Sequence, residues 1–244
     1  MIISHKHKFI FVKPTKVAGT SVEINLSKQC GKNDIITKID SFNDRSDSTK
    51  YKIYHRNISE DLSEHLKPQE IKKIVGNRIW DEYYKIGIVR NPWDQIVSRY
   101  FYDKYFTSNN LQNQISFFQK IKRNLFKLKS YLDLFCRMTN INLLLNFNRC
   151  ILFFNKEWSN YAYYFDKKGN RILDYYIRFE NLEEDYKELC KILKIDYEKL
   201  PLTKNKQRTS KKHYSYYYSN KNRLKINKKF KKEIKEFKYK FEIK

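Results

Sequence analysis

The stretch Phe9-Ile10-Phe11-Val12-Lys13-Pro14-Thr15-Lys16-Val17-Ala18-Gly19-Thr20-Ser21 constrains the fold of this chain more than any other. An apolar run of strand length, Phe9 to Val12, stops at a turn around Pro14. A loop with Lys16 follows, then Gly19 and two hydroxyl residues, and Val22-Glu23-Ile24-Asn25-Leu26 continues as a helix. A strand, a loop and a helix start so close together make an anion holder. The first N–H groups of a helix have no internal partner, and the helix dipole is positive at that end. Gly19 lets the backbone come close to a bulky anion. Thr20 and Ser21 add hydroxyl donors, and Lys16 adds a mobile positive charge.

The residue order separates this loop from the nucleoside-triphosphate pattern G-x-x-x-x-G-K-[ST]. Here Gly19 is followed directly by Thr20-Ser21, the lysine lies three residues before Gly19, and the first glycine is absent. The arrangement resembles the 5′-phosphosulfate loop of sulfotransferases that use 3′-phosphoadenosine-5′-phosphosulfate (PAPS), in which a lysine precedes Gly-Thr-Ser.

A chain of 244 residues suffices for one α/β domain with a buried core, and 41% hydrophobic residues exclude a chain disordered by composition. Five glycines and four prolines leave no flexible linker to divide it. The net charge of +24 favours anionic ligands: nucleic acid, a phosphorylated cofactor, an acidic glycan or a membrane surface. It does not choose among them, and richness in Lys, Asn and Ile is also what an AT-rich genome produces. Cys30, Cys136, Cys150 and Cys190 form no C-x-x-C pair and read as reduced thiols of a cytoplasmic protein. No His or Cys cluster has zinc-ligand spacing, so no metal is expected. Met1-Ile2-Ile3-Ser4 ahead of basic residues does not make a secretory signal. No stretch has the length to span a bilayer; Leu143 to Phe154 is interrupted by Asn146, Asn148 and Arg149.

Further along, the polar stretch Gly31 to Lys50 reads as loop and Tyr51-Lys52-Ile53-Tyr54 as a short strand with His55 at its end. The carboxyl ends of parallel strands are where open α/β sheets place ligands, so His55 is well placed for chemistry. His5 and His7 read as part of a basic N-terminal tail, His65 as a surface residue ahead of Pro68, and His213 as part of a basic loop. A helix is expected from Pro68 to Val75, with Gly76 as its stop. Lys85 to Val89 then forms a strand, and Arg90-Asn91-Pro92-Trp93-Asp94 turns the chain into a helix whose apolar positions are Ile96, Val97 and Tyr100. Arg90 closes the strand and Ser98 lies nearly two turns into the helix, a guanidinium and a hydroxyl suited to a second phosphate.

An Arg-Asn-Pro-Trp-Asp run with a serine eight residues after the arginine resembles the 3′-phosphate motif of the same sulfotransferases. Two motifs in order, each ending an expected strand, make the chain similar to the carbohydrate sulfotransferases that include the chondroitin and heparan sulfate 2-O enzymes. The resemblance covers Lys8 to Phe106 well and Gly169 to Phe241 more loosely, the latter through Arg178-Phe179-Glu180-Asn181-Leu182. It departs in the loop, where Val17-Ala18 stands for the more usual Thr-Gly.

The resemblance implies a P-loop-like α/β fold, a central parallel sheet flanked by helices, in one domain over residues 1–244. It implies PAPS as co-substrate, bound by Lys16, Val17, Ala18, Gly19, Thr20, Ser21, Arg90 and Ser98. It implies in-line sulfuryl transfer to a carbohydrate acceptor without a metal, with Lys16 offsetting charge at the departing oxygen. It also implies a histidine base between the two motifs, and His55 is the better match of the two histidines there. A late loop folds over PAPS in the family, which points to Lys206, Arg208, Thr209 and Ser210.

Leu111 to Arg137 is helical by period, with a basic opposite face, and a helical insert around 107–155 is expected to hold acceptor specificity. Ile172 to Glu180 reads as a strand carrying Arg178 and Glu180 in structural roles, after which Asn181 caps a helix with Glu184 at the reciprocal position. Ile226, Phe230, Ile234 and Phe237 mark a last helix, with Tyr239 and Phe241 packing on the domain. From Lys204 onward there are 16 Lys or Arg against 3 Glu. That excess supports a rival reading as a nucleic-acid-binding protein, although no recognition-helix, zinc or RNA-binding aromatic motif accompanies it. A nucleotide kinase and a catalytically inactive PAPS binder are the remaining rivals.

Overall fold

Two apolar triplets, Ile2-Ile3-Ser4 (β1) and Phe9-Ile10-Phe11 (β2), are completely buried and pair antiparallel, with Ile3 opposite Ile10. The residues between them are therefore a hairpin turn, not a basic tail. The turn carries no glycine; Lys8 takes the left-handed backbone (φ 50°). Asp34 replaces turn chemistry with charge: its carboxylate accepts hydrogen bonds from Ser4 Oγ (2.7 Å), His5 N (2.7 Å), Lys6 N (3.1 Å) and Gly31 N (2.9 Å). Burial pushes the Asp34 carboxyl up, but these bonds outweigh it and hold the group below its ordinary value. His5 bonds the Tyr83 hydroxyl and His7 donates to the Gln29 carbonyl, so both histidines are part of the hairpin's packing.

The computed structural model describes residues 1–38, 58–59, 61–105, 147, 151, 158–203, 210 and 212–244. These fall into two compact units, Met1–Asn91 with Ser159–Thr203, and Pro92–Trp158 with Lys204–Lys244. The expected strand at 51–54, His55 and the expected helix at 111–137 lie outside the described residues.

The first unit is an α/β sheet unit. After β2 come α1 (Gly19–Gln29), β3 (Ile35–Thr37), β4 (Ile58–Ser59), α2 (Pro68–Glu82) and β5 (Tyr84–Val89). The six described strands, completed by β6 (Tyr175–Arg178), run in the order β4-β3-β1-β2-β5-β6. The sheet is mixed, which corrects the expectation of a parallel one: β1 is antiparallel to β2 and β3, whereas β2–β5, β5–β6 and β3–β4 are parallel. β3 also lies inside the stretch expected to be loop, because Ile36 has a buried place beside Ile2.

β5 is buried from Ile86 to Val89, and Gly87 is the position where Leu173 crosses it; a Cβ there would lie 2.4 Å from Leu173 Cδ1. The expected stop at Gly76 is a kink instead. Gly76 takes φ 77° and ψ 168°, and the helix resumes to Glu82 so that Trp80 is buried. A short helix, α4 (Tyr161–Tyr164; α3, residues 92–105, belongs to the second unit), precedes β6. A tight turn at Phe179–Asn181 then enters α5 (Leu182–Leu193). The expected capping box is absent from α5. Asn181 donates to Asp185 (2.7 Å), and Asp185 accepts from the Arg178 N–H (2.7 Å).

α1 is buried all round from Gly19 to Ser27, which obliges its polar residues to find partners. Asn25 donates to the carbonyls of Glu198 and Lys199 (2.8 and 3.1 Å). Glu23 pairs with Lys13 and with the α-amino group of Met1, which also donates to Thr37 (2.8 Å).

The second unit is built on aromatic packing. Its first helix, α3, spans 92–105 and starts at Pro92, as expected. Trp93, Ile96, Val97 and Tyr100 are buried with Phe147, Ile151, Ile226 and Phe230. The last helices, α6 (Asn220–Lys229) and α7 (Lys231–Glu236), carry the apolar stripe read from the sequence. Phe241 then packs edge-on against Trp93 (5.4 Å). Among the described residues no helix is long and apolar enough to cross a membrane.

Candidate functional site

The loop between β2 and α1 is shaped by what its side chains bury. Val12 N–H donates to the Ile86 carbonyl (2.8 Å), keeping the chain beside β5. Lys13 turns inward, 2% exposed, and its ammonium pairs with Glu23 (2.5 Å) and with Glu64. Burial pushes the Lys13 ammonium down, but the two carboxylates outweigh it and hold the group above the ordinary lysine value. Val17 is completely buried and pins the middle of the loop.

Between these anchors the backbone is strained. Lys16 (φ 61°) and Ala18 (φ 63°) are left-handed, while Val17 and Gly19 are not. Left-handed residues at alternate positions are the backbone pattern from which anion-binding nests are made. Each non-glycine residue so held costs about 1–2 kcal/mol and persists only where its surroundings over-determine it. α1 begins directly after Ala18 with no side-chain cap and no acidic residue in its first turn, so its positive end is not offset from within.

Gly19 has a specific reason to be glycine. A Cβ there would lie 2.8 Å from Lys13 Cγ, and Lys13 cannot swing aside while its ammonium is held by two carboxylates. Gly19→Ala is expected to destabilise the first unit by about 1–3 kcal/mol, the usual cost of overpacking. Urea denaturation checks this; a variant as stable as the parent would remove Lys13 as the constraint.

Arg90, just past β5, donates from Nη1 to the Lys16 carbonyl (2.9 Å), and its guanidinium lies 3.7 Å from the Phe179 ring centre. The next residue, Asn91, donates its N–H to Glu180 (2.5 Å). The structure thus brings Arg90 onto the same loop as Lys16, Val17, Ala18, Gly19, Thr20 and Ser21. Arg178 and Glu180 are both exposed; Glu180 has the structural role expected of it through the Asn91 N–H, and the Arg178 backbone N–H donates to Asp185. The Ser21 hydroxyl shares a hydrogen bond with the Thr203 hydroxyl (2.8 Å).

His65 is not the surface residue expected from the sequence. It is half-buried, and its Nδ1 donates to the Lys13 carbonyl (2.8 Å). A carbonyl can only accept, so Nδ1 carries the proton and Nε2 keeps its lone pair in the neutral ring. Glu64 lies 3.5 Å from Nε2. Burial lowers the His65 pKa below the ordinary imidazole value, outweighing the bond to Lys13 and the nearby Glu64 carboxylate.

Ser98 lies on α3 and Ser210 lies beside Tyr217, whose hydroxyl donates to it (2.6 Å); both belong to the second unit. His55, Lys206, Arg208 and Thr209 lie outside the described residues. Sequence reasoning missed Lys13, Glu64, Thr203 and Asn160, whose side chain grips Thr15. Only Lys13 left a signal, as a lone charge against the apolar run Phe9 to Val12. No protein-family model, curated protein or solved structure matches the chain.

Proposed function

We propose that the protein is a sulfotransferase of P-loop-like fold that moves a sulfuryl group from PAPS to a hydroxyl of a carbohydrate acceptor. The observation that carries this reading is the loop itself. Alternate left-handed residues lead into an uncapped helix start with Thr20 and Ser21 in its first turn, and Arg90 is bonded to that same loop. Such a site fits a 5′-phosphate. PAPS supplies the sulfuryl group, whose bond to the phosphate oxygen breaks as one to the acceptor oxygen forms.

The chain's own residues hold and neutralise. The N–H groups from Val17 to Thr20 and the two hydroxyls hold the 5′-phosphate, and Lys16 offsets charge on the departing oxygen. Arg90 serves the 3′-phosphate; Ser98 carries the same assignment by its spacing from Arg90. Lys206, Arg208, Thr209 and Ser210 keep their assignment to a covering loop. No step needs a metal, since lysine and arginine supply the charge.

The acceptor proton needs a base. Position in the sequence argues for His55. A second reading, His65, is favoured by its geometry: the Lys13 carbonyl fixes its tautomer, leaving Nε2 as proton acceptor beside the anion loop. We adopt His65.

Adenosine 3′,5′-bisphosphate, the nucleotide product, is expected to stabilise the protein against heat by about 2.7 kcal/mol at 100 times its dissociation constant. ATP, which lacks the 3′-phosphate, is expected to do less. Equal stabilisation by both would favour a kinase. Isotopic sulfuryl transfer from PAPS to a panel of glycans tests turnover, and binding without transfer would identify an inactive PAPS binder.

A further inference from the structure

We propose that Asn160–Tyr164 is a strap that positions the candidate site, with Asn160 as its principal positioning residue; its link to nucleotide binding rests on the sulfotransferase reading. Asn160 is 1% exposed and spends its whole amide on one residue of the anion loop. Its Oδ1 accepts from the Thr15 N–H and the Thr15 hydroxyl (both 3.1 Å), and its Nδ2 donates to the Thr15 carbonyl (2.8 Å). An aspartate could not make the last bond. The next residue is Lys16, left-handed, with its carbonyl held by Arg90. Lys16 is therefore fixed from both sides, the over-determination that a strained residue requires.

The same segment grips two further parts of the first unit. The Tyr163 hydroxyl donates to the His65 carbonyl (2.8 Å), and burial raises that phenol to about 12, so it remains a donor at neutral pH. The Tyr164 hydroxyl donates to the Ile88 carbonyl (2.9 Å), two residues before Arg90. The strap is itself tied down, since the Tyr164 carbonyl accepts from Ile172 N (3.0 Å) and from the Tyr176 hydroxyl (3.1 Å). Five consecutive residues thus fix the anion loop, the segment of His65 and the end of β5. The three attachments are made by three different side chains, Asn160, Tyr163 and Tyr164, so each can be removed separately.

The test uses the full chain with Asn160→Ala, Thr15→Ala, the double variant and Tyr163→Phe. Calorimetric affinity for adenosine 3′,5′-bisphosphate and amide hydrogen exchange of the nucleotide-free protein are measured, together with transfer kinetics. Asn160→Ala is expected to weaken nucleotide binding roughly tenfold, the worth of one or two buried hydrogen bonds. It should also speed exchange over residues 13–19 while β1 and β2 exchange as in the parent. The double variant should be no weaker than Asn160→Ala, because the hydroxyl bond that Thr15→Ala removes is already gone; Thr15→Ala alone should cost less, since its two backbone bonds to Asn160 remain. Tyr163→Phe, which keeps the ring, should leave nucleotide affinity unchanged, lower kcat, and speed exchange around His65. Parent-like affinity and loop exchange in Asn160→Ala, with only a lower melting temperature, would reduce the strap to ordinary packing. If the parent binds no bisphosphate nucleotide, the sulfotransferase reading fails, and the exchange pattern alone still decides the strap.

Discussion

Lys13→Ala is expected to destabilise the first unit by about 3–5 kcal/mol, the cost of breaking a buried ion pair from one side. Lys13 lies between Glu23 and Glu64, all three nearly inaccessible to water, and the Met1 α-amino group is the other cation on Glu23. Removing the lysine leaves carboxylates that burial disfavours and that one remaining cation serves poorly. The pH dependence follows from the shifts. Burial pushes the Glu23 carboxyl up, but Lys13 and the α-amino group outweigh it and hold it below the ordinary carboxylate range. Its contribution to stability is therefore present above that range and is lost as pH falls through the folded value. The Lys13 pKa is raised, so its contribution is present below the ordinary lysine value and is lost as pH rises through the folded one. In the Ala variant Glu23 loses one of its two cations and protonates more readily. The difference between parent and variant should thus be largest near neutral pH and shrink in acid. Urea denaturation across pH measures this. A loss below about 1 kcal/mol, the worth of an exposed pair, would show that water reaches the cluster.

His65→Ala is expected to lower the transfer rate roughly 10²–10⁴-fold, the usual contribution of a positioned base. Affinity for the bisphosphate nucleotide should change little, because His65 touches the anion loop only through the Lys13 carbonyl. Lys16→Ala should weaken both affinity and rate, since Lys16 is assigned to the nucleotide itself. The parent's rate should fall only below an apparent pKa that is itself below the ordinary imidazole value of about 6.5. The reason is the burial that keeps His65 neutral to lower pH. Should His55→Ala abolish turnover while His65→Ala keeps it, the base is His55. His65 would then serve only to hold the Lys13 carbonyl.

What could be read from the residues was local. A strand running into Pro14 and a helix through Val22 to Leu26 follow from apolar run length and turn chemistry, and both are present, the helix beginning three residues earlier at Gly19. The helix begun by Pro92 and the stripe through Ile226, Phe230 and Phe237 follow from a 3.6-residue period and are likewise buried as expected. The expected set of Lys16 to Ser21 and Arg90 could be listed from the sequence because it sits within one loop and at one strand end, and Arg90 does bond the Lys16 carbonyl.

Tertiary structure alone decided the rest. Ile2-Ile3-Ser4 is too short to declare itself, and the basic residues after it imitate a tail. Pairing with β2 and β3 makes it an inner strand and the sheet mixed. Lys13 reads as one more cation in a chain of +24, until Glu23 and Glu64 close around it. His65 reads as surface until the Lys13 carbonyl, 52 residues away, meets its ring. Asn160 grips Thr15 across 145 residues. Periodicity and turn preference record what a residue does to its own segment. A hydrogen bond or ion pair between distant segments depends on where the sheet brings them, and no local pattern carries that information.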